Sequence, residues 1–160
     1  MREWEDEANR ATQSGARVVN MRIGVVLGRG SALDYCVPMV RDFLGHIVGA
    51  RSSSFSWIHH EDNVGLMLHA LERQDLHGPL NMTAPGVVTW SHFMRTLARH
   101  FRRPFTLPVP RSLARLAMGE AAELWFSGQY VHPAKALATG YAFKHPELEA
   151  ALTDVLRRPL

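Results

Sequence analysis

The run His59-His60-Glu61-Asp62 sets two imidazoles beside two carboxylates. Those residue types suit metal ligation and proton transfer. Ligation by the histidine pair fails on spacing. Neighbouring side chains point to opposite faces of a strand, or diverge by about 100° on a helix, so His59 and His60 cannot both reach one ion. The same spacing suits an orienting hydrogen bond between His59 and Asp62 where a helix begins. Gly28-Arg29-Gly30-Ser31 follows an apolar strand and opens a helix, as a dinucleotide-binding turn does, but Leu33 stands where a third glycine belongs. It reads either as a pyrophosphate loop or as an ordinary turn at the C-terminal edge of a parallel sheet. Ser31 lacks the Gly-x-Ser-x-Gly context of an activated serine, and Cys36 reads as a small core hydrophobe. Tyr35, Tyr130 and Tyr141 are followed four residues on by Met39, Ala134 and His145, so no Tyr-x-x-x-Lys pair occurs. The residues alone assemble no complete catalytic set.

The elements that must position these groups centre on Ala16 to Gly28, a β-branched apolar run bounded by Gly15, Gly28 and Gly30 that predicts a buried strand. Before it, Trp4, Ala8 and Ala11 recur at helical steps among acidic residues, predicting an amphipathic helix over 2–14 that ends at Gly15. Helix followed by buried strand is the second half of a βαβ unit whose first strand is not in this sequence. Downstream, the spacing predicts a helix over 32–44 capped by Ser31 and a short strand from Phe55 to Ile58. A helix opening at His59–Asp62 follows, burying Val64, Leu66, Met67, Leu68, Ala70 and Leu71. Leu80 to Thr83 reads as a strand, Thr89 or Ser91 caps a helix through Phe101, and prolines from Pro104 to Pro110 enforce an extended segment. Helices are expected over 111–118, 120–126 and 133–138, a small strand at Tyr141–Phe143, and a last helix from Pro146 with Leu148, Ala151, Leu152 and Val155 inward.

Composition bounds the function. At 160 residues, 46% hydrophobic, the chain is long enough for a real core. The net charge of +3 rests on scattered arginines with no basic block, and Trp57, Trp90 and Trp125 lack interleaved cations, which argues against nucleic acid. One cysteine excludes an intrachain disulfide framework and a multi-thiolate zinc site, making a reducing, cytoplasmic setting the expectation. No apolar run reaches the ~18 residues of a membrane span.

Trp4-Glu5, Arg22-Ile-Gly-Val-Val-Leu-Gly28, Ser56-Trp-Ile-His-x-x-Asp62 and Asn81-Met-Thr-Ala-Pro85 with Thr89 resemble the C-terminal half of an extended short-chain dehydrogenase/reductase. The tail, through Leu107-Pro-Val-Pro110, Gly119-Glu120, Pro133, Gly140-Tyr-Ala-Phe143 and Pro146-Glu-Leu-Glu-Ala-Ala-Leu152, resembles the small C-terminal domain of atypical NAD-dependent epimerase/dehydratase-like proteins. The resemblance implies an α/β fold: the C-terminal part of a Rossmann-like parallel sheet over residues 1–103, plus a small, mostly helical substrate-side domain over 104–160. It implies NAD or NADP as cofactor of the parent family and a carbonyl, hydroxyl or nucleotide-sugar-like small-molecule substrate. Gly24, Val25 and Val26 would pass near the nicotinamide with Arg22 at its entrance, while His59, Asp62 and Asn81 shape the substrate side. The glycine-rich cofactor loop and the Tyr-x-x-x-Lys pair of such proteins are absent from this sequence. The chain alone is therefore expected to bind no cofactor tightly and to be inactive, or to serve as an interaction module that dimerises or pairs with an N-terminal half through an open sheet edge. Ser52-Ser53-Ser54 and Tyr130 stand where relatives tend to carry Arg-Gln-Trp and arginine, which removes groups that could grip an anionic substrate.

Overall fold

The central apolar run folds as two strands, not one. The computed structural model describes residues 2–41, 47–48, 53–103, 108–109 and 128–157. Its elements are α1 (Arg2–Asn9), β1 (Val19–Ile23), β2 (Val25–Leu27), α2 (Leu33–Arg41), β3 (Ile47–Val48), β4 (Ser54–Phe55), β5 (Trp57–His59), α3 (His60–Glu72), β6 (Gly78–Met82), β7 (Val88–Thr89), α4 (Trp90–His100), β8 (Pro108–Val109), α5 (Ala134–Ala138) and α6 (Leu148–Arg157). β1 lies parallel to β6, with Val19 opposite Gly78 and Ile23 opposite Met82. β2 lies parallel to β5, with Val25 opposite Trp57 and Leu27 opposite His59. The strand changes partner at Gly24, whose N–H donates to the Met82 carbonyl (3.0 Å) while Val25 N–H donates to the Ser56 carbonyl (2.9 Å). β4 pairs antiparallel with β7, and β3 parallel with β8. The helices expected over 111–118 and 120–126 lie outside the described residues.

Alternation along β5 divides the interior. Trp57 and Ile58, both fully buried, point to opposite faces, as consecutive strand residues must. Trp57 joins Leu27, Leu33 and Cys36 with the inward faces of α4 (Phe93, Met94, Leu97) and α6 (Leu148, Ala151, Leu152, Val155). Ile58 joins Leu66 and Ala70 of α3 with Leu80 and Met82 of β6 and Ala136 of α5. Each such large side chain contributes about 1.5–3 kcal/mol through burial. The helical patterns around Phe93 and Leu148 fold as expected, and Thr89 Oγ1 accepts from His92 N–H as the cap of α4 (3.2 Å).

Three expectations change. The N-terminal helix forms over 2–9 and tightens to 3₁₀ geometry over 10–14, but its Trp4 is 82% exposed. α1 is tied to β1 by polar contacts instead: Arg22 grips Glu5 through two hydrogen bonds (2.7 and 2.6 Å), and Asn20 Nδ2 donates to Asn9 Oδ1 (2.9 Å). On α3 only Leu66 and Ala70 of the expected apolar set are fully buried, Met67 is half-buried, and Val64, Leu68 and Leu71 face outward. Tyr141–Phe143 forms no strand ladder; the Tyr141 side chain docks on the start of α3.

That docking centres on Asp62. Its buried carboxylate accepts the Lys144 N–H (2.8 Å), the His145 N–H (2.9 Å) and the Tyr141 hydroxyl (3.2 Å), in the first turn of α3 where the helix dipole also favours negative charge. Gly65, one turn along, has no side chain because a Cβ there would collide with the Tyr141 hydroxyl. Burial and the adjacent Asp62 push the Tyr141 hydroxyl up to about 12, so it stays a donor. His59 does not bond Asp62. Its Nδ1 accepts the Glu61 N–H (3.2 Å), capping α3, which assigns the ring proton to Nε2, 3.4 Å from Asp154 Oδ2.

Removing the Asp62 carboxylate strands three donors at once, so Asp62→Ala should lower the unfolding free energy by about 2–4 kcal/mol in urea titration, whereas Tyr141→Phe should cost only about 1 kcal/mol. His59 provides a pH test. Burial first, then the neighbouring His145 and His60, push its pKa down from 6.5 to about 4, against the opposing pull of Asp154 and Glu61. The unfolded chain takes up a proton below pH 6.5 that the folded chain refuses. Stability should therefore fall by about 2–3 kcal/mol as pH drops through that window, then level off. His59→Gln should flatten this slope, and an unchanged slope in the variant would assign it to other groups.

Candidate functional site

β1 and β6 end side by side at Ile23 and Met82, and ligands of parallel α/β sheets bind beyond such carboxyl ends. Two cavities open there. One, of about 500 Å³, is walled by Ile23, Val25, Phe55, Trp90 and Val131 with small polar groups such as Ser54 and Ser56. The other, of about 460 Å³, is polar, with Glu5, Arg22, Asn81, Thr83, Tyr130 and His132. Ile23, Gly24, Gln129 and Val131 border both.

The partition between them is the segment 129–132, bound across the strand ends by three side chains. Ser56 Oγ donates to the Gln129 carbonyl (2.7 Å) and accepts the Val131 N–H (3.0 Å). Thr83 Oγ1 donates to the Val131 carbonyl (3.1 Å), and Asn81 Nδ2 to the His132 carbonyl (3.2 Å). Sequence reasoning singled out Asn81 but missed Ser56 and Thr83 as site residues. Their signal was present, since both lie in the motifs Ser56-Trp-Ile-His and Asn81-Met-Thr, but their partners lie 48 to 75 residues away.

The structure brings Arg22, Gly24, Val25 and Asn81 to the cavities. Gly24 is in close contact with its surroundings: a Cβ would sit 2.8 Å from the Ser56 carbonyl oxygen and 2.9 Å from Thr83 Cγ2. Arg22 points at the polar cavity with its guanidinium already paired to Glu5, which raises the Arg22 pKa and lowers that of Glu5. Val26 turns instead toward the core under α3, and His59 and Asp62 hold the corner between β5 and α3 without lining either cavity.

The glycine turn after β2 is closed to a phosphate on its inner side. Ser31 Oγ accepts the Leu33 N–H (3.2 Å) and bonds Gly28, and Asp34 accepts the Gly30 N–H (2.9 Å). Near α3, His59, Glu61 and His145 bring ligand-type atoms within 4.8 Å of one another. Their arrangement is a packed stack rather than a chelate. The His59 and His145 rings lie 3.7 Å apart at 28°, so their lone pairs run side by side, and His59 Nδ1 is an acceptor where a metal-binding imidazole needs a second N–H to donate.

Comparison with known proteins agrees with this geometry. A family model, the domain of unknown function DUF1731, matches residues 109–155. The chain is 36% identical over 153 residues to the epimerase family protein YfhF of Bacillus subtilis strain 168, covering 96% of this chain and 50% of that protein. It is 40% identical to the mouse epimerase family protein SDR39U1, covering 96% of this chain and 53% of that one. Among solved structures, human SDR39U1 (isoform 2) with NADPH superposes with a TM-score of 0.82 at 37% identity, covering 89% of this chain and 49% of the human one. A nucleoside-diphosphate sugar epimerase from Corynebacterium glutamicum superposes at 0.74 with 26% identity, covering 97% and 29% of the two chains. The chain spans about half the length of the curated relatives it matches. With its parallel strands, its cavities beyond their carboxyl ends and this likeness along nearly its whole length, the chain matches the C-terminal part of epimerase family proteins.

Proposed function

We propose that this chain is the substrate-side portion of an NAD(P)-dependent oxidoreductase of the epimerase type, acting on a carbonyl or hydroxyl compound in the cytoplasm. The observation that carries this reading is the pair of cavities meeting at Gly24, beyond the carboxyl ends of β1 and β6. The described residues fit the ring end of a nicotinamide cofactor and not its diphosphate. Asn81, Thr83 and Tyr130 line the cavity beside Gly24 with uncharged polar groups, the first two already donating to the 129–132 segment, and the N–H groups of Gly28, Gly30 and Leu33 that a diphosphate would need are engaged by Ser31 and Asp34. When bound, such a cofactor supplies hydride transfer to or from a substrate carbon.

The chain's own residues would then shape and orient. Gly24 and Val25 present van der Waals surface to the ring, since their N–H groups are spent on Met82 and Ser56. Arg22, paired with Glu5, fixes α1 against β1 at the entrance. Val26 backs the floor from the core, Asn81 holds the partition at His132, and His59 with Asp62 anchors the α3 corner. The sequence carries no Tyr-x-x-x-Lys pair to move the proton that accompanies the hydride, so the chain alone should not turn over. Residues 1–103 would form the sheet portion and 104–160 the small C-terminal domain, whose α6 packs on α4 and β2.

A second reading is favoured by one observation: among the described residues β1 is hydrogen-bonded only to β6, and its Ile23 is 46% exposed. Such an edge would recruit a second copy or an N-terminal half.

NMR titration with NADPH tests the first reading. Weak, millimolar perturbation centred on Gly24, Val25 and Thr83 without turnover is expected; absence of any perturbation there overturns the assignment, and micromolar binding with turnover overturns the claim of inactivity. Sedimentation equilibrium tests the second, since a strictly monomeric chain would remove it.

A further inference from the structure

We infer that the cavity lined by Ile23, Val25, Phe55 and Trp90 is the substrate pocket and that it takes an uncharged, largely apolar carbonyl compound rather than a sugar nucleotide. The inference rests on the oxidoreductase reading for the word substrate, and on the cavity itself for the class of ligand. Its walls are aromatic and aliphatic side chains interspersed with the uncharged polar groups of Ser53, Ser54, Ser56 and Gln129, and no charged side chain lies among the described residues that line it. Ser56, which borders it, already spends its hydroxyl on the Gln129 carbonyl and the Val131 N–H. A volume of about 500 Å³ suits a small organic molecule.

A sugar nucleotide would bring two phosphate charges, and burying an anion without a cation or a set of donors is strongly unfavourable. The neighbouring polar cavity does not supply the counter-charge. Its arginine, Arg22, is held in a two-point grip by Glu5 at 2.7 and 2.6 Å, so a diphosphate there would meet the Glu5 carboxylate together with the guanidinium. The two cavities thus differ in kind across the 129–132 partition: a polar one, its Arg22 and Glu5 charges paired with each other, fit for an amide-bearing ring, and a largely apolar one fit for the hydrophobic body of a ketone or aldehyde. A carbonyl oxygen needs only a hydrogen-bond donor and contributes no net charge to bury.

The test uses the 160-residue chain without cofactor, following the Trp90 indole N–H by NMR, assigned by comparison with Trp90→Phe. The probes are 1-tetralone, a bicyclic aromatic ketone, and UDP-glucose. The ketone should shift the Trp90 signal saturably and bind at least about tenfold more tightly than UDP-glucose. Ala32→Phe, which fills the cavity, and Ile23→Trp, which crowds its exposed rim, should each weaken ketone binding by about tenfold or more, with folding of both checked by thermal melting. Equal or tighter binding of UDP-glucose at Trp90, no ketone shift at millimolar concentration, or unchanged ketone affinity in a folded variant would overturn the inference. Failure of NADPH to bind would remove the oxidoreductase reading while leaving a ketone-binding pocket intact, so the two are separable.

Discussion

A buried carboxylate at the start of α3 fastens the 141–145 segment to the middle of this chain. Asp62 is fully buried, and a charge in that position is tolerable only because two backbone N–H groups and a tyrosine hydroxyl converge on it at a helix N-terminus. Those donors come from Tyr141 to His145, some 80 residues downstream. Their capture delivers the chain to the start of α6, whose Leu148, Ala151, Leu152 and Val155 then close the core over Trp57 and Phe93. It also lays the His145 ring on His59, so that a capping imidazole is sealed from water and held neutral. The tail is thus fastened by a point of polar specificity, and the apolar face of α6 supplies most of the burial energy.

The partner switch at Gly24 governs the site in the same way. A single strand paired along its length to one neighbour would continue past the cleft and leave no opening. Here the first half pairs with β6 and the second with β5, so a gap opens between the strand ends, and Gly24 fills it with backbone alone. Ser56, Thr83 and Asn81, which flank the gap on β6 and around β5, are then free to hold the 129–132 segment across it. The two cavities follow from this one discontinuity, which is why Gly24 borders both.

What the sequence disclosed tracks how local each cause is. Periodic apolar spacing located α4 and α6 with their inward faces, and Thr89 announced its own cap, because these signals act within a few residues. The break at Gly24 was not legible, since Val19 to Leu27 reads as one β-branched run and the division comes from which neighbour each half meets. The outward faces of α1 and α3 misled the pattern reading for a related reason. Trp4, Val64, Leu68 and Leu71 sit at helical spacing, but spacing says only that residues share a stripe, not that anything in this chain covers it. His59 and Asp62 read as a hydrogen-bonded pair, but each takes other partners, because Asp154 and the 141–145 segment are distant in sequence. The resemblance of the motifs to a family identified the fold class that periodicity alone left incomplete.

The charges of the chain close the argument about its chemistry. Arg17 donates to the carbonyls of Ala70, Leu71 and Leu76, satisfying the end of α3, and Arg73 locks onto Asp75. Arg22 is committed to Glu5, and Asp62 to the tail. Of these, Arg22, which lines the polar cavity, and Asp62 at the α3 corner are consumed in joining one part of the chain to another. Apart from the mutually paired Glu5 and Arg22, the described walls of the two cavities carry amides, hydroxyls, an imidazole, aromatic rings and aliphatic side chains, groups that suit selection by shape and by hydrogen bonds.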